Sequence, residues 1–326
     1  MRESHVMLPI LNKSNKRVEI NALFIQPSYA CVGNCRNCYL KQHVPAGPRI
    51  VMKKEEAALL FGYIQSAQAI TVNQVTLSVN KPTHETMPSE TAILTDFVWM
   101  APGGENHITI QNPRELAFAL TNESCKKMVE NRIVASFSVT WPLRSIHSLR
   151  TNFNHMAPMI KQVREDEIKK ISTILETVDT MYLVLKKKPK GSPRTLSSHR
   201  EEIEWMSDYI DFVEYLKKGL SPELWRKIHL DDCLLSVIKS RDTGYGCSSG
   251  VSRFQLWPDG AVSGCPYAWK AQTGPADTAK EMIANIKEAR DEHPYDFHTC
   301  QLPSVYERVL QQRGTKNLAR GLDGII

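Results

Sequence analysis

The sequence predicts an α/β fold built on a parallel sheet, and three observations carry that expectation. Apolar, strand-like segments alternate with amphipathic helical ones along the first two thirds of the chain. Three cysteines, Cys31, Cys35 and Cys38, follow the first of those strands at C-x3-C-x2-C spacing. In the last third, the turn residues Pro258, Asp259 and Gly260 separate two apolar runs lying between Cys247 and Cys265. Strands alternating with helices imply βα crossovers, which place neighbouring strands parallel.

Taken in order, residues 18–25 are apolar and partly alternating, and read as a strand ending just before the cysteines. A helix over 54–66 carries Ala57, Leu60, Phe61 and Ile64 on one face. A strand over 75–79, a helix over 90–100 and a strand over 107–111 follow. Helices within 114–131 and a strand over 133–140 come next. A helix over 165–177 precedes a strand over 180–185, and 201–216 reads as a further amphipathic helix. Residues 228–230 read as a last short strand. The turn at 258–260 predicts a hairpin, since proline presets φ and glycine accepts a positive one. The segment from Arg308 to Ile326 carries no readable pattern.

Three thiolates within eight positions can be wrapped around one centre by a single short loop. They are one short of a closed tetrahedral site, the arrangement in which a [4Fe–4S] cluster keeps one iron open to another molecule. Zinc is the alternative, because thiolates suit it equally and a fourth ligand could come from elsewhere. The C-x3-C-x2-C spacing resembles that of the radical S-adenosylmethionine (SAM) enzymes. The resemblance implies that Cys31, Cys35 and Cys38 hold the catalytic cluster. It also implies that the open iron chelates SAM, and that the 5′-deoxyadenosyl radical released abstracts hydrogen from an organic substrate. The fold it implies is a partial (βα)6 TIM-like barrel. Chemistry in such barrels sits at the C-terminal strand ends, where the cysteine loop is expected.

The same resemblance nominates SAM contacts. Tyr39 follows the third cysteine, where many family members instead place an aromatic residue just before it, at the position of Asn37. Family members commonly end the second strand in Gly-Gly-Glu-Pro, whereas this chain has Ser78 to Pro82, with Asn80 as the group facing the SAM amine. Ser138 and Arg150 fall in a segment resembling the one that meets the ribose and the carboxylate of SAM. The fork of an arginine suits a carboxylate.

The last third resembles the SPASM/twitch extension of radical SAM proteins, a small β-hairpin-containing domain with auxiliary iron–sulfur clusters. That implies a division into a partial barrel over 1–230 and a twitch-like extension with C-terminal tail over 231–326. One auxiliary cluster, of the [4Fe–4S] type by ligand count, would be held by Cys233, Cys247, Cys265 and Cys300. His298 is the substitute for the last of these, and a four-cysteine zinc site is the alternative.

Net charge is +6 and permits an anionic substrate without indicating nucleic acid. The one charge run, Lys186 to Arg194, contains prolines and glycine and reads as a loop. Its readings are a solvated loop or a contact to a phosphate or carboxylate of the substrate. No stretch approaches the roughly 20 apolar residues a membrane span requires. Eight cysteines in such a chain, with a polar rather than apolar start, point to a reducing, cytoplasmic setting and to metal chemistry rather than disulfides. The expectation is a radical SAM enzyme supplied with electrons by a partner such as flavodoxin or ferredoxin. Its substrate is a peptide, or alternatively a nucleotide or nucleic acid. A non-catalytic zinc-binding scaffold is the reading from a different class.

Overall fold

A computed structural model describes residues 18–31, 39–79, 83–100, 105–110, 133–135, 148–152, 165–177, 180–185, 187, 196–243, 247–291 and 300–314. Among these the strands are β1 (Val18–Ile25), β2 (Ile70–Val79), β3 (Glu105–Ile110), β4 (Ile133–Ala135) and β5 (Ser148–Asn152). They continue with β6 (Thr180–Val184), β7 (Ile228–His229), β8 (Arg253–Leu256) and β9 (Val262–Ser263). The helices are α1 (Tyr39–Gln42), α2 (Lys54–Ser66), α3 (Met87–Met100), α4 (Glu165–Thr177) and α5 (Leu196–Gly219). The remainder are α6 (Pro222–Trp225), α7 (Asp232–Thr243), α8 (Ala279–Asp291) and α9 (Leu302–Gln312). The chain is a mixed α/β protein with two compact units, Met1–Ile133 with Ser248–Tyr295 and Val134–Cys247 with Asp296–Ile326.

In the first unit the strand order is β3-β2-β1-β8-β9. β1, β2 and β3 are parallel, with Ile25 opposite Leu77 and Leu77 opposite Ile108. β8 joins the other edge of β1, also parallel, with Ile25 opposite Leu256. The C-terminal ends of these four strands therefore coincide. β9 returns antiparallel through the expected turn, where Gly260 has φ +79°. Leu23, Ile25, Ile70, Leu77, Phe254 and Trp257 are buried on this sheet. α2 buries Ala57, Leu60, Phe61 and Tyr63, while Ile64, expected on that face, is half-buried. Phe61 meets Phe97 of α3 edge-on at 5.2 Å between ring centroids. α8 opens with a capping box: Glu281 N–H donates to Thr278 Oγ1 and Thr278 N–H to Glu281 Oε2. Glu56 of α2 accepts from Ala279 N–H at 2.7 Å, which ties α2 to α8.

In the second unit β4, β5, β6 and β7 are parallel neighbours in that order. β5 is a correction to the sequence reading, which placed Arg150 beyond a strand rather than on one. Its residues 148–152 are mostly polar and give no apolar pattern; pairing with β4 and β6 makes them a strand. α4 has the expected bounds, and α5 starts at Leu196 rather than Glu201. The region after Arg308, read as patternless, begins with the second half of α9. Leu302, Val305, Tyr306, Val309 and Leu310 of α9 are buried, a helical stripe, and α9 packs on α5. Arg313 fastens that contact by donating to Ser207 O and to Asp211 Oδ1.

The basic run holds a second correction. Lys187 is neither solvated nor open to substrate: its side chain is 8% exposed and pairs with Asp231, 3% exposed, at 2.6 Å. Asp231 Oδ2 also accepts from Leu185 N–H, while its Oδ1 accepts from the amides of Cys233 and Leu234 at the start of α7. Tyr209 donates to Leu183 O and accepts from Asp231 N–H. One carboxylate thus caps a helix, closes a strand end and neutralises a buried lysine. Lys186, Lys188 and Lys190 lie outside the described residues.

Candidate metal centre and cofactor site

The site starts where β1 ends. Gln26 is fully buried, and its Nε2 donates to Ser78 O at 3.1 Å and to Ser28 O at 3.0 Å. One amide thereby fixes the C-terminal ends of β1 and β2 together. The chain then leaves through Pro27–Cys31 and returns at Ile50–Met52. Tyr29 N–H donates to Ile50 O and Met52 N–H to Pro27 O, each at 2.8 Å, so both stems of the cysteine loop are pinned. Cys31 stands just past that closure and is half-buried. Cys35 and Cys38 lie outside the described residues, and Tyr39 is the first residue of α1.

The return limb is clasped to the hairpin. His43 stacks on Trp257 at 3.6 Å between centroids, and its Nδ1 lies 2.9 Å from Ala268 O. Burial lowers the His43 pKa, opposed by the Ala268 carbonyl and the Asp259 charge, so the neutral ring is favoured. Asp259 of the hairpin turn accepts from Gly47 N–H at 2.8 Å and from Tyr29 Oη–H at 3.3 Å. Burial and that carboxylate raise the Tyr29 pKa, keeping it a protonated donor. Arg49 pairs with Asp277 and donates to Ala276 O.

Glu90, on α3, was not singled out from the sequence. It is 3% exposed, with the Thr86 and Ser28 hydroxyls as the polar groups against its carboxylate. Burial pushes its pKa up to about 7, held in check by the Thr86 and Ser28 hydroxyls beside it. The signal was present: Glu90 shares a helical stripe with buried Ile93, Leu94 and Phe97, where a surface acid does not belong.

The other nominated residues fall out as follows. Asn80 and Ser138 lie outside the described residues, and Arg150 lies on β5. Cys265 is buried and receives the Tyr267 N–H on its sulfur at 3.4 Å. Before it, Gly264 approaches Gly250 so closely that a Cβ would strike the Gly250 backbone. Cys233 is half-buried in the first turn of α7, and Cys300 is half-buried just before α9. Cys265 belongs to the first unit, and Cys233, Cys247 and Cys300 to the second. His298 lies outside the described residues. Among the described residues no disulfide forms, and no three His, Cys, Asp or Glu side chains converge as a metal-holding group. No helix among them is long and apolar enough to cross a membrane.

A half-buried thiol past a pinned strand end, with two more cysteines in the same loop, is a donor set suited to an iron–sulfur cluster.

No protein-family model and no curated protein sequence matches the chain. Solved structures do. SuiB of Streptococcus suis bound to S-adenosylmethionine superposes with a TM-score of 0.53 at 12% identity, over 84% of this chain and 66% of that one. The chain therefore spans just under two thirds of SuiB. Native anSMEcpe with bound AdoMet and the Cp18Cys peptide gives 0.48 at 12% identity, over 94% and 99% of the two chains. Native anSMEcpe with bound AdoMet gives 0.49 at 12%, over 83% and 82%. Both neighbours are radical SAM enzymes with a SPASM domain. At such identity the likeness is one of fold, and this chain shares the α/β fold of the radical SAM enzymes.

Proposed function

We propose that this protein is a radical SAM enzyme, with a [4Fe–4S] cluster held by Cys31, Cys35 and Cys38. The observation that carries the proposal is the pinned cysteine loop at the coincident C-terminal ends of β1, β2 and β8. SAM, when bound there and given one electron, supplies a 5′-deoxyadenosyl radical that takes hydrogen from the substrate. The chain's part is positional. Gln26 and the backbone ties at Tyr29 and Met52 hold the loop stems, and the His43–Trp257 stack seals the return limb. Tyr39, Asn80, Ser138 and Arg150 are the proposed SAM contacts, and a flavodoxin or ferredoxin the proposed electron donor.

The finer architecture belongs to the same proposal: a partial (βα)6 barrel over 1–230 and a twitch-like extension over 231–326, in the cytoplasm. Its hairpin strand β8 would run beside the first barrel strand. An auxiliary cluster on Cys233, Cys247, Cys265 and Cys300 completes the proposal. The buried Cys265 with its N–H donor favours it. A peptide is the proposed substrate class. The nucleotide alternative loses one of its supports, since Lys187 is engaged with Asp231.

The test is iron and sulfide analysis with Mössbauer spectroscopy on anaerobically reconstituted protein and on a Cys31/Cys35/Cys38 triple-alanine variant. Two clusters predict that about half the iron survives in the variant. Complete loss leaves the radical SAM cluster standing and removes the auxiliary one. Zinc in the wild-type protein would favour the scaffold reading instead.

A further inference from the structure

The limb that returns from the cysteine loop to α2 has a surface of one kind. From Val44 to Ile50 its exposed residues are Val44, Pro45, Ala46, Pro48 and Ile50, all apolar. Val44 and Ile50 are 40% and 57% exposed, two of the three large hydrophobic side chains left open among the described residues. Single apolar residues on a surface mean little, but a limb that opens nothing else to solvent marks a contact. The limb is also held in place. Val44 N–H donates to Trp269 O at 2.7 Å, Gly47 N–H to Asp259 Oδ2 at 2.8 Å and Arg49 Nη1 to Ala276 O at 2.8 Å. A surface fastened to the hairpin beneath it loses little freedom when a partner covers it. Its borders are basic: Lys41 before the limb, Lys53 after it and Lys270 beside Trp269 are all exposed. No Asp or Glu occurs between Glu19 and Glu55, or between Asp259 and Asp277. Asp259 is fully buried, and Asp277 is engaged by Arg49 and Lys53. Within these two segments no acid is left to offset Lys41 and Lys270.

We propose that this limb is the docking surface for an acidic one-electron carrier protein, which passes its electron to the cluster on the adjoining loop. The inference rests on the radical SAM reading for the electron's destination. Ile50 O accepts the N–H of Tyr29, two residues before Cys31, and Val44 follows Cys38 by six residues, so both ends of the limb adjoin the cysteine loop. A carrier has only to come alongside that loop, whereas a substrate must enter at the strand ends. The stretch from Val44 to Ile50 reaches at most about 25 Å when extended. That length suits the small, transient interfaces of electron-transfer partners, below about 1,200 Å² in total. The apolar strip would be the dry centre of the contact, and the lysines would steer a partner of opposite charge. In the step itself the carrier loses one electron and the cluster gains it, with no bond formed or broken and no proton moved.

The test uses reconstituted full-length protein, a Lys41→Glu/Lys270→Glu variant and an Ile50→Ser variant, with flavodoxin and ferredoxin as the acidic probes. The first arm is equilibrium binding of each oxidised carrier at low and high salt. One of them should bind the wild type, more weakly as salt rises, and each variant should weaken that binding about tenfold or more. The second arm compares 5′-deoxyadenosine formation driven by the reduced carrier with that driven by dithionite, a small reductant that needs no docking. The variants should lose the first and keep the second. Variants that bind the carrier as the wild type does, or a wild type that binds neither carrier, overturn the docking surface. Loss of the dithionite-driven product as well would make these side chains part of the site and overturns it too. Sedimentation reads the other occupant: a wild-type dimer that Ile50→Ser dissociates makes the limb a contact between two copies and overturns the carrier. A wild type that binds a carrier through this limb yet makes no 5′-deoxyadenosine with dithionite leaves the surface standing and counts against the radical SAM reading.

Discussion

Replacing Glu90 with Gln should stabilise the ligand-free protein at alkaline pH and do little at acidic pH. The folded-state pKa is about 7 against an ordinary 4.5, so the folded protein holds a proton that the unfolded chain has released. Stability from this group is therefore fully present below 4.5 and is lost as pH rises through about 7, above which the loss is constant. The gap between the two values corresponds to about 3 kcal/mol, at 1.36 kcal/mol for each pKa step. Glutamine keeps the shape and removes the charge, so it never incurs that loss. Urea unfolding of both proteins in choline chloride at several pH values between 4.5 and 8.5 measures the effect. All other titrating groups are shared, and the difference between the two midpoints isolates Glu90. The variant's advantage should grow across the window to about 3 kcal/mol at pH 8. An advantage that stays flat with pH would show that Glu90 does not titrate there, and the burial argument would fail with it.

Asp231→Ala should cost about 3–5 kcal/mol in urea unfolding, because it strands the buried Lys187 ammonium and uncaps α7. Lys187→Met should fall at the low end of that range, since Asp231 keeps its three backbone donors; equal losses would mean that those backbone bonds add nothing beyond the charge pair. Gly260→Ala should destabilise the first unit by about 2 kcal/mol or more, because φ is +79° and the new Cβ would meet the Ala276 carbonyl. A neutral result in thermal unfolding would mean the hairpin turn relaxes at no cost.

The sequence was most informative where local pattern and tertiary setting agree. β1 and α4 have the bounds their apolar spacing predicts, and the turn at Pro258–Gly260 joins two antiparallel strands as turn chemistry requires. α9 was legible but missed: its stripe begins at Leu302, and reading from Arg308 cut it in half. β5 was not legible, because mostly polar residues become a strand only through neighbours on both sides. Lys187 could not be read either, since its partner Asp231 lies 44 residues away and a charge run carries no sign of burial. At the site, the place of Cys31 just past β1 was legible from the apolar run before it. Glu90 required noticing an acid on an apolar stripe, and the clasp of His43 on Trp257 pairs residues distant in sequence.

The most direct test of the radical SAM proposal is product analysis under anaerobic reduction. Reconstituted protein treated with dithionite and SAM should release 5′-deoxyadenosine and methionine, slowly even without substrate. Cys35→Ala should abolish both products, because two thiolates cannot hold a cluster with an open iron. Wild-type protein that contains iron and binds SAM yet yields no 5′-deoxyadenosine, or a Cys35→Ala variant that yields as much as wild type, would contradict it.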